Sequence, residues 1–191
     1  IERASATDEW AIVEIHPRRS KLARRDPRSR FTERVVVSNI DQVVVVFAFA
    51  KPEPHARMID RFLVIAEANG ISARVVMNKC ELVDDAVAHA FVAPLLAAGY
   101  PVHLTSVEAA RGLDTLRDVL AERRSALSGP SGVGKSSLLS ALYPGSQLRI
   151  GEMSESVNKG RHTTVGAKLL ALPDGGFVAD TPGLREVGLW G

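Results

Sequence analysis

Gly129-Pro130-Ser131-Gly132-Val133-Gly134-Lys135-Ser136-Ser137 fits the pattern G-x-x-x-x-G-K-[ST], and the rest of the chain is read outward from it. Such a loop wraps nucleotide phosphates. Its glycines let successive backbone N–H groups turn inward, the lysine reaches the β- and γ-phosphates, and the hydroxyl after it ligates Mg²⁺. The loop needs a strand before it and a helix after it. Ser125-Ala126-Leu127 supplies the strand, and residues 137–142 read as the helix. The start of that helix adds its own N–H groups and the positive end of its dipole. Taken alone, the motif also fits a Gly/Ser turn that binds nothing.

The 191 residues suit one full domain with an appendage. An apolar content of 46% is enough for a packed core. Charge is nearly balanced, 24 basic against 22 acidic residues, so the molecule is not a polycation. The basic residues are nevertheless clustered: Arg18, Arg19, Lys21, Arg24, Arg25, Arg28, Arg30 and Arg34 are opposed in that stretch only by Asp26 and Glu33. The single cysteine, Cys80, excludes an internal disulfide and a cysteine-based zinc site in these residues, which fits a reducing cytoplasm. No apolar run approaches the ~20 residues of a membrane span, and Ile1-Glu2-Arg3-Ala4-Ser5 is not the start of a signal peptide. The expectation is a soluble cytoplasmic monomer with no membrane partner.

Residues 8–15 read as a strand, followed by the basic stretch and Val35-Val36-Val37; this is too little for an independent domain. From Asn39 the style changes. Val43-Val44-Val45-Val46-Phe47-Ala48-Phe49-Ala50 is a continuous apolar run, the mark of a strand buried on both faces of a parallel sheet. A helix is expected over 56–69, ended by Gly70, then a strand over 73–77 and a helix over 84–98. A strand over 101–105, a helix over 113–123, and two strands over 167–172 and 176–179 complete the pattern. Alternating strands and helices define an α/β doubly wound sheet.

In such a sheet, ligands bind at the carboxyl ends of the strands. Those ends carry Asn78-Lys79-Cys80-Glu81, Thr105-Ser106-Val107, the phosphate loop, and Asp180-Thr181-Pro182-Gly183; Gly160-Arg161-His162-Thr163-Thr164 precedes the strand over 167–172. Together they resemble the five signature loops of the translation-factor class of GTPases. Asn78 and Glu81 can grip a guanine edge, the carboxylate accepting from N1–H and the 2-amino group. Adenine offers no such donors, and a site built on such bonds discriminates by roughly 10⁴–10⁵. The Lys79 stem would pack over the base, and Ser106 with neighbouring N–H groups would support O6. Thr164, or alternatively Thr163, would coordinate Mg²⁺ and sense the γ-phosphate. Asp180 would hold the Mg²⁺ shell, and the Gly183 N–H would meet the γ-phosphate. Glu81 stands where Asp is more familiar, keeping the carboxylate on a stem one methylene longer.

The loops come in an unusual order: those for guanine precede the phosphate loop, and the switch segments close the chain. This is a circular permutation. With Gly-Arg-His-Thr-Thr and Asp-Thr-Pro-Gly-Leu-Arg-Glu-Val-Gly-Leu-Trp, it closely resembles the circularly permuted bacterial GTPases of small-ribosomal-subunit biogenesis, the RsgA or YjeQ family. The resemblance implies GTP and GDP as ligands, Mg²⁺ as cofactor, and the small ribosomal subunit with its rRNA as partner. It also implies that residues 1–38 are the end of an OB-fold, that 39–191 are the permuted GTPase domain, and that a zinc domain expected in the family lies outside these residues.

Many GTPases place a Gln after the Gly of D-x-x-G to orient the attacking water; here that residue is Leu184. His162, beside the switch threonines, is the expected substitute, the alternative being a surface-loop histidine with no role; the resemblance points to the same histidine. Intrinsic turnover is expected to be slow, about 10⁻⁴–10⁻² s⁻¹, until a partner orders residues 151–162. The basic stretch reads either as a solvated face or as a salt-sensitive RNA contact, and beside an OB-fold the RNA reading is favoured. The alternative to a ribosome-coupled hydrolase is a guanine-nucleotide-dependent RNA-binding scaffold with incidental hydrolysis. An ATP-using kinase would leave Asn78 and Glu81 without purpose.

Overall fold

Gln42 to Ala48 is wholly buried, and the molecule is layered around this strand. The computed structural model describes residues 2–3, 10–11, 14–25, 33–144 and 168–180. Two short antiparallel pairs come first: β1 (Glu2–Arg3) with β2 (Trp10–Ala11), and β3 (Lys21–Arg25) with β4 (Glu33–Ser38). There follow β5 (Gln42–Ala48), α1 (Ala56–Ala68), β6 (Ser72–Asn78), α2 (Asp85–Ala97) and β7 (Val102–Leu104). Then come α3 (Leu113–Leu120), β8 (Arg124–Ser128), α4 (Lys135–Leu142), β9 (Lys168–Ala171) and β10 (Phe177–Asp180).

The main sheet has the order β7-β6-β5-β8-β10-β9, parallel throughout except for the β9–β10 pair. Because side chains alternate along a strand, the apolar run of β5 feeds two cores at once. Val43, Val45 and Phe47 join the α1 and α2 residues Ile59, Phe62, Leu63, Ala88 and Val92 on one face. Val44, Val46 and Ala48 join the α3 and α4 residues Leu116, Leu120, Leu138, Leu139 and Leu142 on the other. The doubly wound α/β sheet expected from the sequence is therefore present. The winding reverses between β5 and β8, which places a crevice at their carboxyl ends.

Some boundaries differ from those expected, each for a local reason. Of the strand expected over 8–15, Trp10–Ala11 pairs, while Glu14 and Ile15 are irregular and Ile15 is exposed. The basic stretch contains a strand that its composition hid: β3 docks by burying Leu22 completely in the core beneath α1. Asn69 fixes it there, its side-chain oxygen accepting from the Ala23 N–H at 3.2 Å and its amide donating to the Ile65 carbonyl at 2.8 Å. Helix α3 stops at Leu120 rather than Arg123 because Glu122 turns left-handed and the Arg123 carbonyl is used by the Phe177 N–H at 2.8 Å. Helix α4 begins at Lys135, two residues early, since Gly134 turns the chain directly into it.

One buried amide holds the amino end of the sheet. Gln42 donates to the Val119 carbonyl at 2.7 Å and the Ser125 hydroxyl at 2.9 Å, and accepts from Arg74 Nε at 2.9 Å, joining β5, β6, β8 and α3. Gln42→Leu leaves the buried Ser125 hydroxyl and the half-buried Val119 carbonyl and Arg74 guanidinium without it, so a loss of about 1–3 kcal/mol is expected. A urea melt would report it as a lower midpoint with an unchanged slope; an unchanged midpoint would show the network to be dispensable.

Candidate functional site

The carboxyl ends of β5, β6, β7 and β8 surround a cavity of about 390 Å³ lined in part by Asn78, Lys79, Glu81, Val107, Gly134 and Ser137. Three segments that the sequence separates widely meet here. Asn78 closes β6 with its side chain 2% exposed. Its Nδ2 donates to the Val133 carbonyl in the phosphate loop at 2.9 Å, and its Oδ1 accepts from the Thr105 hydroxyl at 3.1 Å. A primary amide has two N–H donors, so one remains after the bond to Val133. The backbone adds a further tie, Cys80 N–H to the Thr105 carbonyl at 3.1 Å.

After Asn78 the chain turns through Lys79 in the left-handed region, φ 58°, into a short turn of 3₁₀ helix over Cys80–Leu82. That turn sends the Lys79 ammonium across the site, where it donates to the Gly132 carbonyl at 2.8 Å and to the Lys51 carbonyl. Glu81 is exposed at the cavity wall, while Cys80 is buried behind it. Burial pushes the Cys80 thiol up from its ordinary value despite the nearby Arg111 charge, so it packs as a neutral thiol. Ser106 is fully buried; its N–H bonds the Arg111 carbonyl at 3.0 Å and its hydroxyl accepts from the Ala109 N–H at 2.9 Å. The cavity therefore meets Val107 rather than Ser106, and among the described residues the Val107 N–H has no acceptor.

The phosphate loop runs from β8 into α4. Gly129 (φ 139°) crosses β5 so closely that a Cβ there would lie 2.0 Å from the Val46 carbonyl oxygen, and Pro130 and Ser131 carry the loop on to Gly132 and Val133. A Cβ on Gly134 (φ 95°) would meet Asn78 Nδ2 at 2.5 Å. Lys135 turns back over the loop and donates to the carbonyls of Gly129 at 2.8 Å and Pro130 at 2.7 Å. Gly134 gives α4 no side-chain cap, and no acidic residue lies in its first turn. The first N–H groups of such a helix are left to an external acceptor. Ser136 and Ser137 are exposed in that turn.

Asp180 ends β10 in parallel register with Leu127 of β8, so its backbone leaves the sheet beside the phosphate loop. His162, Thr163, Thr164, Gly183 and Leu184 lie outside the described residues. Three cavity-lining residues were missed in the sequence, Lys51, Leu82 and Glu108. The rule that led to the other loops applied to them as well, since Lys51 follows the end of β5, Leu82 follows Glu81 and Glu108 follows Val107. Lys51 is in the left-handed region, φ 50°, and the Pro52 ring lies 3.5 Å from where a Cβ on Gly132 would be. Of the histidines, His103 is half-buried on β7, where desolvation and then the Arg74 charge lower its pKa. No cluster of three or more His, Cys, Asp or Glu side chains that could hold a metal occurs among the described residues.

A mostly parallel sheet with a glycine-rich loop between β8 and α4, and with the Asn78 and Thr105 loops earlier in the chain, defines a circularly permuted P-loop domain. The family model described as RsgA GTPase matches residues 15–190, and the chain belongs to that family. It is 65% identical over 188 residues to a small ribosomal subunit biogenesis GTPase RsgA of Gemmatimonas aurantiaca, covering 98% of this chain and 61% of that protein. A crystal structure of YjeQ from Thermotoga maritima is similar at 32% identity and a TM-score of 0.69, covering 92% of this chain and 56% of that one. A crystal structure of YloQ, a circularly permuted GTPase, is similar at 28% identity and a TM-score of 0.61, with coverage of 92% and 52%. The chain thus spans little more than half the length of the relatives it matches.

Gly134→Ala tests the junction between the loops. The added methyl meets the Asn78 amide in a backbone conformation that L-residues rarely adopt, so GDP affinity is expected to fall by more than about tenfold, the equivalent of 1.4 kcal/mol. Gly99→Ala, with a similarly positive φ but nothing within 4 Å, serves as the control and should bind normally. A fluorescent-GDP titration that failed to separate the two would refute the close approach.

Proposed function

We propose that this chain is a GTP hydrolase acting in late maturation of the small ribosomal subunit, with slow intrinsic turnover stimulated by that subunit. The observation that carries the reading is the buried Asn78 amide, which joins the Thr105 segment to the phosphate loop beside a cavity lined by Glu81. Family membership and the names of the relatives supply the ribosomal part. Adenine would leave the Glu81 carboxylate without its donors.

In this reading the Glu81 carboxylate accepts from guanine N1–H and the 2-amino group. The remaining Asn78 N–H meets the base edge, the Val107 N–H supports O6, and the Lys79 stem covers the ring. The phosphate loop, Gly129 to Ser137, encloses the phosphates with its N–H groups and the Lys135 ammonium. The fit to Mg²⁺ rests on the exposed Ser136 hydroxyl in the uncapped first turn of α4 and on Asp180 at the neighbouring strand end. Thr164, or Thr163, completes the set. When bound, the ion neutralises charge on the β- and γ-phosphate oxygens. The Gly183 N–H contacts the γ-phosphate. His162 orients the attacking water, which forms a bond to the γ-phosphorus as the bond to the β–γ bridging oxygen breaks, giving GDP and phosphate.

Residues 1–38 are proposed to be the end of an OB-fold that contacts rRNA, with 39–191 the GTPase domain of a cytoplasmic monomer. Arg18, Arg19 and Lys21 are exposed, which favours an RNA contact and supports the second reading, an RNA-binding scaffold whose hydrolysis is incidental. Among the described residues no helix is long and apolar enough to cross a membrane.

The deciding measurement is GTP hydrolysis with and without purified small ribosomal subunits. Stimulation that declines steeply with salt is expected, because phosphate contacts release counterions; GTP binding with no stimulated rate would favour the scaffold. His162→Ala should slow hydrolysis with GTP affinity nearly intact, whereas Lys135→Ala should weaken both. Equal loss of binding and rate in the histidine variant would remove it from the mechanism.

A further inference from the structure

Arg111 was not among the residues singled out in the sequence, yet it touches both segments that form the base end of the cavity. Its backbone exchanges two hydrogen bonds with Ser106, N–H to carbonyl in each direction at 3.0 Å. Its Nη1 donates to Asp85 Oδ1 at 2.6 Å. Asp85 is the first residue of α2, four positions after Glu81. Cys80, which precedes Glu81 in the same turn, is buried. The loop that presents Arg111 is tightly constrained: Ala110 and Gly112 on either side are both left-handed, and a Cβ on Gly112 would lie 2.2 Å from the Leu104 carbonyl oxygen.

We propose that Arg111 is a positioning residue for base selection, a brace that sets the spacing between the Glu81 wall and the Val107 wall of the cavity. The proposal rests on the guanine-nucleotide reading given above. Cys80 N–H to Thr105 fixes the inner ends of the two segments. Beyond that point the Arg111–Asp85 pair is the tie that restrains their outer ends. The side chains of Arg111 and Asp85 are 43% and 64% exposed, and pairs of this kind add little to global stability. The brace therefore acts on local geometry. The mutual hydrogen bond and charge hold the Asp85 carboxyl below its ordinary value and Arg111 above its own, so the pair stays ionised through the neutral range.

The test compares GDP, IDP and ADP affinities of the full chain and its variants; IDP lacks the 2-amino group that Glu81 would accept from. In Arg111→Ala the preference for GDP over IDP should fall about tenfold, most of the value of a hydrogen bond to a charged group, with the melting temperature nearly unchanged. Asp85→Ala should show the same loss, the double variant no additional loss, and Arg111→Lys a partial recovery. A folded Arg111→Ala with an unaltered GDP-to-IDP ratio, or losses that simply add in the double variant, would overturn the brace. If Arg111→Ala does not fold, Asp85→Ala and Arg111→Lys decide the matter by the same ratio. A wild-type chain that binds ADP as well as GDP would instead overturn the guanine reading and the brace with it.

Discussion

The side-chain amide of Asn78 is the point on which the site depends. It is almost fully buried, and it bonds one loop on either side of its own strand end. An amide placed there without partners would carry a desolvation cost, so the Thr105 and Val133 loops are held to it as firmly as it is held to them. The glycine at position 134 follows from the same constraint, because any larger residue would occupy the space of the amide nitrogen. The Thr105 loop and the glycine-rich loop, built on different strands, thus come to share one fixed origin.

The sheet supplies the rigidity this arrangement needs. β5 is buried on both faces and pairs with β6 on one side and β8 on the other. The strands that carry Asn78 and the phosphate loop are thereby its two neighbours. Lys79 bridges them above the sheet, linking the Gly132 carbonyl to the turn that leaves β5. The loops can therefore be irregular, with several residues at positive φ, while their ends are held by a regular lattice of backbone hydrogen bonds.

Much of this was legible from the residues. The unbroken apolar run from Val43 to Ala50 read as a strand covered on both faces, and the polar signatures after the strands fall at the end of the sheet where the cavity lies. β3 was hidden because Lys21, Arg24 and Arg25 mask its pattern; one buried residue, Leu22, anchors it, and a single apolar position has no period to detect. Ser106 was expected to face the base, but its N–H and hydroxyl are spent on Arg111 and Ala109, a pairing that depends on a loop geometry no spacing rule encodes. Lys51 and Arg111 were missed for related reasons. Each reaches the site through a left-handed turn, and neither belongs to a residue pattern with its own chemistry.

The two apolar layers draw on different lengths of the chain. Every fully buried member of the layer beneath α1 and α2 lies between Leu22 and Leu95, with the exception of Ala126. The opposite layer draws on residues from Val44 to Val178. A chain emerging from its amino end can therefore close one face of the sheet, and shape the Asn78 turn, before the phosphate loop has been synthesised. The partner that completes the buried amide, the Val133 carbonyl, arrives 55 residues after it. Circular permutation thus does more than relocate the termini. In this chain the residues that pack beneath α1 and α2, and the Asn78 turn with them, precede the glycine-rich loop that bonds to that turn.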